Sequence, residues 1–123
     1  MRRIRSADTK PEWWLRQQLF RRGYRYRVRR KDLPGKPDLV FPGKRKVIFV
    51  HGCFWHQHDN CRDGQLPKSR QEYWGPKLRR NVERDKENLE SLKRQGWEAL
   101  VVWACEIKEA DAVLERVEEF LRA

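Results

Sequence analysis

Two largely apolar segments separated by a long helical pattern place the strongest constraint on the fold of this chain. The segments are KVIFV at residues 46–50 and WEALVVW at residues 97–103, and both are typical of buried strands. The helical pattern covers residues 76–95, with inward positions at Leu78, Val82, Leu89 and Leu92. Strand, helix and strand in this order predict a right-handed parallel crossover. The carboxyl ends of both strands then meet at one sheet edge, where open α/β sheets place their functional sites.

The remaining segments predict further helices and strands around this unit. TKPE at residues 9–12 has the spacing of a capping box, so a helix is predicted to begin there and to end at Gly23. YRYRV at residues 24–28 alternates with period two, which puts its two tyrosines and its valine on one face. KPDLV at residues 36–40 is a short strand between two turns, and residues 109–122 form an amphipathic helix. The expected fold class is α/β.

Positive charge is concentrated at the front of the chain. Residues 1–31 hold twelve Lys and Arg against two acidic residues, which is +10 of the formal net charge of +11. This distribution favours a nucleic-acid partner, and the alternative is a basic surface that serves only solubility. No apolar run approaches the roughly 20 residues that span a bilayer, so no membrane partner is expected. Three cysteines without a secretory signal indicate a reducing compartment, the cytoplasm.

The segment FVHGCFWHQHDNC, residues 49–61, contains all three histidines and two of the three cysteines. Within it, Cys53, His58 and Cys61 follow the spacing C-x4-H-x2-C. The predicted crossover brings Cys105 to the same sheet edge. Three thiolates and one imidazole suit a tetrahedral structural Zn²⁺ with no open position. The alternative is three unconnected buried cysteines.

A possible nuclease motif lies in KPDLV. Asp38 stands at the head of a short strand that a second strand follows, which is similar to the PD-(D/E)xK nuclease pattern. Its carboxylate would hold Mg²⁺, a hard ion that prefers carboxylate oxygens and water. The second strand ends in Phe49-Val50-His51, where the motif has an acid and, two residues on, a lysine. The motif is therefore diverged.

Four segments together resemble the very-short-patch-repair (Vsr) DNA mismatch endonucleases. They are LPGKPDLVF, VIFVHGCFWHQH, EYWGPKLRRNVERD and GWEALVVWACEI, and they cover nearly the whole chain in order. Members of this family nick duplex DNA at T:G mismatches left by deamination of 5-methylcytosine. The resemblance implies one endonuclease domain over residues 1–123, with a restriction-endonuclease-like mixed sheet flanked by helices, catalytic Mg²⁺ and structural Zn²⁺. It also implies a nucleoid-associated bacterial monomer that acts on double-stranded DNA with a T:G mismatch and meets mismatch-repair proteins.

The resemblance assigns roles to individual residues. Asp38 and the backbone carbonyl of Val50 are the implied Mg²⁺ ligands, and Glu12 reaches the metal through water. For Glu12 the alternative is the capping box, which competes for the same carboxylate. His51 takes the place of the missing lysine and, with His56, handles protons and the scissile phosphate. The implied zinc ligands are again Cys53, His58, Cys61 and Cys105.

Aromatic and polar side chains complete the implied DNA-binding set. By the resemblance, Phe54, Trp55 and Trp74 wedge into the base stack. Lys77 and Asn81, one helical turn apart on a polar face, read the mismatched pair. The alternative for the aromatic residues is core packing, which is the expectation for Trp13, Trp14, Trp97 and Trp103.

Two other functions remain open from the sequence. One is a restriction-like nuclease on the same fold that cuts fully paired DNA, and the other is a zinc-stapled DNA-binding module without catalysis. A module that only binds DNA has no need of the set Glu12, Asp38, His51 and His56. The sequence departs from the commonest pattern of the family. Members often have a further basic segment ahead of the equivalent of Met1 and a C-terminal extension, and the zinc loop here is one residue longer between His58 and Cys61.

Overall fold

The fold is a small mixed sheet with helices on both faces. The computed structural model describes residues 10–28, 30–52 and 71–123, the last range without the side chains of residues 71–74. The helices are α1 (Lys10–Arg21), α2 (Gln71–Arg94) and α3 (Ala110–Arg122). The strands are β1 (Leu39–Phe41), β2 (Lys46–His51) and β3 (Glu98–Trp103). Short 3-10 turns at Pro42–Lys44 and Ala104–Glu109 follow β1 and β3. No helix in the described part of the chain is long and apolar enough to cross a membrane.

The order of the strands in the sheet is β1-β2-β3, with β2 in the centre. β1 runs antiparallel to β2, and β3 runs parallel to β2 with Val50 opposite Val102 and His51 opposite Trp103. The parallel pairing predicted from the two apolar segments is confirmed, and the α/β class with it. The carboxyl ends of β2 and β3 therefore lie side by side.

Both faces of β2 are covered, which explains its unbroken apolar sequence. One face packs on α1 and α3, in a cluster that includes Leu15, Leu19, Ile48, Val50, Val117 and Leu121. The other face packs beside α2, in a cluster formed by Leu33, Val40, Val47, Phe49, Leu92 and Trp97. Alternate residues of β2 serve the two clusters, as the period of a strand requires.

The structure differs from the predicted elements at four places. β1 covers Leu39–Phe41 instead of residues 36–40. α2 begins at Gln71, five residues before the predicted start, and so has Pro76 inside the helix. A proline at this position removes only one hydrogen bond of the first two turns. Residues 24–28 form an isolated bridge between Arg27 and Val40 rather than a full strand, and Val28 is exposed. β3 is mostly half-exposed instead of buried on both faces.

Of the four tryptophans expected in the core, Trp13 contradicts the expectation. Its side chain is 54% exposed, and its ring lies 5.2 Å from the Cζ atom of Arg16. Trp97 is buried, and Trp14 packs against the core while partly exposed. Trp103 is half-buried at the end of β3. Trp13 lies outside the stripe of α1 that carries Leu15 and faces the sheet, so a cation–π contact takes the place of core packing.

Lys46 is a buried charged residue at the start of the apolar strand β2. Its side chain is 3% exposed, and its ammonium donates hydrogen bonds to the carbonyls of Phe120 at 2.5 Å and Ala123 at 2.6 Å. These carbonyls lie at the end of α3, where the backbone has no helical donor. Lys46 therefore ties the carboxyl end of α3 to the central strand, and the positive charge suits that end of the helix dipole.

Replacing Lys46 with Met should lower the free energy of unfolding by about 1–3 kcal/mol, because two carbonyls lose a charged donor. Chemical denaturation of the variant and the wild type measures the difference. Lys44→Met is the matched control, since Lys44 is an exposed residue of the turn two positions earlier. Equal stability of the two variants would show that the Lys46 bonds contribute nothing.

Candidate active site

Asp38 is held by β2 at two points. Its backbone amide donates to the carbonyl of Ile48 at 3.1 Å, and its Oδ2 atom accepts a hydrogen bond from the amide of Val50 at 2.5 Å. The turn that leads into Asp38 is itself fixed, because Gly35 has a φ of +77° and a Cβ at that position would lie 3.1 Å from Phe49 and Asn88. Only glycine suits both the φ and the space. The carboxylate is thus fixed beside the end of the central strand.

Glu12 approaches Asp38 from helix α1. It is 2% exposed and lies on the same side of the helix as the buried Leu15 and Leu19, as its spacing predicts. Its carboxyl group is within hydrogen-bonding reach of Asp38, and its Oε2 atom lies 3.3 Å from Nη2 of Arg16. Thr9, the other half of the predicted capping box, lies outside the described residues. Among described residues, the carboxyl of Glu12 thus contacts Asp38 and Arg16.

The surroundings of Asp38 change its affinity for protons. The pKa of Asp38 is raised from 3.8 to about 7, mainly by burial, because water no longer solvates the charged carboxylate. The amide of Val50 opposes this by donating to the carboxylate, and Arg16 also favours the charged form. The neighbouring Glu12 contributes to the raised pKa, since two carboxylates in contact repel each other when both are ionised. Near neutral pH the pair therefore gains from a positive ion that offsets its charge.

His51 is the last residue of β2, one position beyond the amide that holds Asp38. It is 6% exposed, and its ring lies between two others, at 5.5 Å from Phe49 and 5.1 Å from Trp103 between centroids. Trp103 ends the neighbouring strand, so the parallel register of β2 and β3 produces this contact. The packing fixes the plane of the imidazole at the sheet edge where the sequence predicts a site.

Other predicted site residues are distributed around this edge or lie outside the description. Lys77 is exposed and Asn81 half-buried on α2, while Leu78 between them is buried, which agrees with a separate polar face. Cys105 is half-buried in the 3-10 turn after β3, just past the strand end as predicted. The predicted residues Cys53, Phe54, Trp55, His56, His58 and Cys61 lie outside the described residues, as does the side chain of Trp74.

The donor set at the sheet edge fits a hard divalent cation. Two buried carboxyl groups in contact offer oxygen ligands, and a shared cation would offset the repulsion between them when both are ionised. Within residues 10–28, 30–52 and 71–123, no group of three or more His, Cys, Asp or Glu side chains is arranged to hold a metal ion. A cation at Asp38, with Glu12 behind a water, would therefore draw its remaining ligands from water or backbone oxygens, which is usual for Mg²⁺.

Sequence reasoning missed two residues that organise this region. Arg16 contacts Glu12, and the hydroxyl of Tyr26 donates to the backbone carbonyl of Arg16 at 3.1 Å. Tyr26 precedes Arg27, whose amide and carbonyl bond Val40 of β1, both at 2.9 Å. The signal for Arg16 was its position four residues after Glu12 on a predicted helix, where opposite charges meet. Tyr26 gave no comparable signal.

Replacing Asp38 with Asn should stabilise the Mg²⁺-free protein at pH 8 and much less at pH 5. The folded wild type binds the Asp38 proton more tightly than the unfolded chain does, so its free energy of unfolding falls as the pH rises from about 4 to about 7. Asn keeps an acceptor for the Val50 amide and carries no charge. The difference in melting temperature should grow by several degrees between the two pH values. The exposed Asp111→Asn on α3 is the control, and a pH-independent difference for Asp38→Asn would contradict the burial argument.

Comparison with known proteins gives a consistent family. The profile described as "DNA mismatch endonuclease Vsr" matches residues 1–62. The chain is 50% identical over 121 residues to the type II nicking enzyme V.XorIIP of Xanthomonas oryzae pv. oryzae, covering 98% of this chain and 88% of that protein. It is 42% identical over 122 residues to the type II nicking enzyme V.NmeAIP of Neisseria meningitidis, covering 99% and 86%. It is 40% identical over 126 residues to the DNA mismatch endonuclease Vsr of Escherichia coli, covering 98% and 80%. With this identity over nearly its whole length, the chain belongs to the Vsr family of DNA mismatch endonucleases.

Proposed function

We propose that this chain is a Mg²⁺-dependent endonuclease that nicks one strand of duplex DNA at T:G mismatches left by deaminated 5-methylcytosine, and so starts very short patch repair. The observation that carries the proposal is the buried Asp38–Glu12 pair, fixed at the end of the central strand beside His51. Relatives named as nicking enzymes and as a mismatch endonuclease support the reaction. The mixed sheet with helices on both faces supports a restriction-endonuclease-like fold in a single domain.

Each residue at the site has a part in phosphodiester hydrolysis. Asp38 and the Val50 carbonyl would hold Mg²⁺, and Glu12 would orient a water beside it. Mg²⁺ supplies charge that offsets the phosphate and the attacking oxygen. His51 and His56 move protons to and from the water and the leaving oxygen, as imidazoles do near neutral pH. The ring contacts of His51 hold it in one orientation for that task.

A structural zinc is proposed at the same sheet edge. The ligands are Cys53, His58, Cys61 and Cys105. The position of Cys105 just after β3 supports this set, because the loop that follows β2 begins one strand away. Such a site would link the loop after β2 to the turn after β3 and so fix the segment that carries His56.

Contact with DNA is proposed to have two parts. The basic residues of the first quarter of the chain bind phosphates in any duplex. Phe54, Trp55 and Trp74 insert into the base stack, and Lys77 and Asn81 read the mismatched pair. The exposure of Lys77 and the partial exposure of Asn81 on α2 are compatible with that reading role.

The nicking activity tests the catalytic assignment. Asp38→Ala should abolish nicking of a T:G duplex in Mg²⁺ and leave DNA binding largely intact, since the phosphate contacts come from Lys and Arg. His51→Ala and His56→Ala should each slow single-turnover nicking on the order of 10²–10⁴-fold, the range for a lost proton-transfer group. The fully paired duplex is the control substrate for the wild type. Nicking by Asp38→Ala at the wild-type rate would place the active site elsewhere, and equal nicking of the paired duplex would favour a restriction-like nuclease.

Metal analysis tests the zinc site. The purified protein should contain one Zn²⁺ per chain, and Cys105→Ala should lower the melting temperature sharply, because the binding energy of a structural zinc is part of the folding energy. Ala104→Ser in the same turn is the matched control. Purified wild type without zinc would end this assignment.

Binding to matched and mismatched duplexes tests the wedge. Unstacking costs a few kcal/mol, less where pairing is already poor, and each stacked base returns roughly 1–3 kcal/mol. Trp55→Ala and Trp74→Ala should therefore weaken binding to a T:G duplex more than to a paired duplex at one salt concentration. Arg27→Ala should weaken both about equally. Equal losses for the tryptophan variants on the two duplexes would assign these rings to the core.

A further inference from the structure

We propose that Arg16 is a positioning residue of the active site, which fixes the carboxylate of Glu12 and moderates the affinity of the Asp38–Glu12 pair for its divalent cation. The inference rests on the proposed function and adds to it a residue that takes no part in the chemistry itself. It acts through Glu12 and touches neither DNA nor metal.

Neighbouring residues confine the Arg16 side chain beside Glu12. Arg16 is 8% exposed, and its Nη2 atom lies 3.3 Å from Oε2 of Glu12, four residues earlier on the same helix. The Tyr26 hydroxyl holds the backbone carbonyl of Arg16, and the ring of Trp13 lies 5.2 Å from its Cζ atom. A guanidinium confined in this way holds one carboxylate oxygen of Glu12 in place, and so fixes the orientation of the carboxyl group beside Asp38.

Arg16 also changes the charge balance of the Asp38–Glu12 pair. Asp38 and Glu12 together carry up to two negative charges when ionised, and Arg16 carries one positive charge at any ordinary pH. In a buried site this charge acts on both carboxylates and on a cation between them far more strongly than it would in water. Arg16 therefore stabilises the metal-free site and, by the same charge, weakens the attraction of the pair for Mg²⁺.

Removal of Arg16 thus has two effects of opposite sign. Arg16→Met should tighten Mg²⁺ binding, because the pair keeps its charge without a competing cation. The same change should slow nicking at saturating Mg²⁺, because the carboxylate of Glu12 loses its anchor. A residue that only packs α1 against the sheet would give the loss of rate without the gain in affinity.

The experiment measures both quantities on the zinc-containing protein after Mg²⁺ has been dialysed away. The melting temperature of the DNA-free protein is recorded against Mg²⁺ concentration, and single-turnover nicking of a T:G duplex is recorded at saturating DNA. For Arg16→Met, half-saturating Mg²⁺ should fall roughly tenfold, and the rate at saturating Mg²⁺ should fall roughly 10- to 100-fold. Arg16→Lys keeps the charge without the planar fork, so its Mg²⁺ affinity should stay near wild type while its rate falls.

Arg22→Met is the matched control. Arg22 lies just after α1 and pairs with Glu118 of α3 at 3.3 Å, away from the carboxylate pair. Both of its quantities should remain within about twofold of wild type. In a Glu12→Gln background, Arg16→Met should change the rate by less than about threefold, because the carboxylate through which Arg16 acts is absent.

The inference is overturned if Arg16→Met leaves half-saturating Mg²⁺ unchanged or raises it. It is also overturned if Mg²⁺ raises the melting temperature of neither protein, or if the rate loss is undiminished in the Glu12→Gln background. A wild type that fails to nick the T:G duplex would instead refute the proposed function. The Mg²⁺-dependent melting temperatures would still decide the role of Arg16.

Discussion

The amide of Val50 donates a hydrogen bond to the carboxylate of Asp38, and this bond joins the head of β1 to the end of β2. Its position depends on the register of the mixed sheet, which places Leu39 opposite Ile48. A one-residue slip would move the side chains of β1 to the opposite face of the sheet. The sheet therefore positions the site as well as forming the core.

The same bond stabilises the buried carboxylate of Asp38, but it does not compensate in full for the lost solvation of the charge. Asp38 and Glu12 contact each other in a region nearly closed to water, and Arg16 supplies a positive charge beside them. A divalent cation bound here would offset the negative charge of the pair. Burial of these carboxyl groups lowers the free energy of unfolding. The apolar clusters on both faces of β2 and the hydrogen bonds of Lys46 to the end of α3 raise it.

The parts of the fold that follow from periodicity were predictable, and the parts that follow from single tertiary contacts were not. KVIFV and WEALVVW gave the parallel pair, and the spacing of Glu12 from Leu15 and Leu19 gave its inward direction. The exposure of Trp13 follows from its position outside the stripe of Leu15 and Leu19, whereas its contact with Arg16 was not predictable. The burial of Lys46 was not predictable, because its two acceptor carbonyls belong to the end of α3, which only the tertiary fold places beside β2. The Arg27–Val40 bridge depends on how residues 24–28 meet β1, which alternation alone does not specify.

The proposed reaction depends on a divalent cation that binds Asp38 at the end of β2, with Glu12 behind one water molecule. Anomalous diffraction from crystals of the purified protein soaked in Mn²⁺, a substitute for Mg²⁺ with a measurable anomalous signal, tests whether Asp38 binds such an ion. Data collected on both sides of the manganese absorption edge separate this ion from zinc. One manganese peak is expected within bonding distance of an Asp38 carboxylate oxygen and of the Val50 carbonyl, and it should disappear in Asp38→Asn. A peak that persists in Asp38→Asn, or that lies at other residues, would contradict this assignment.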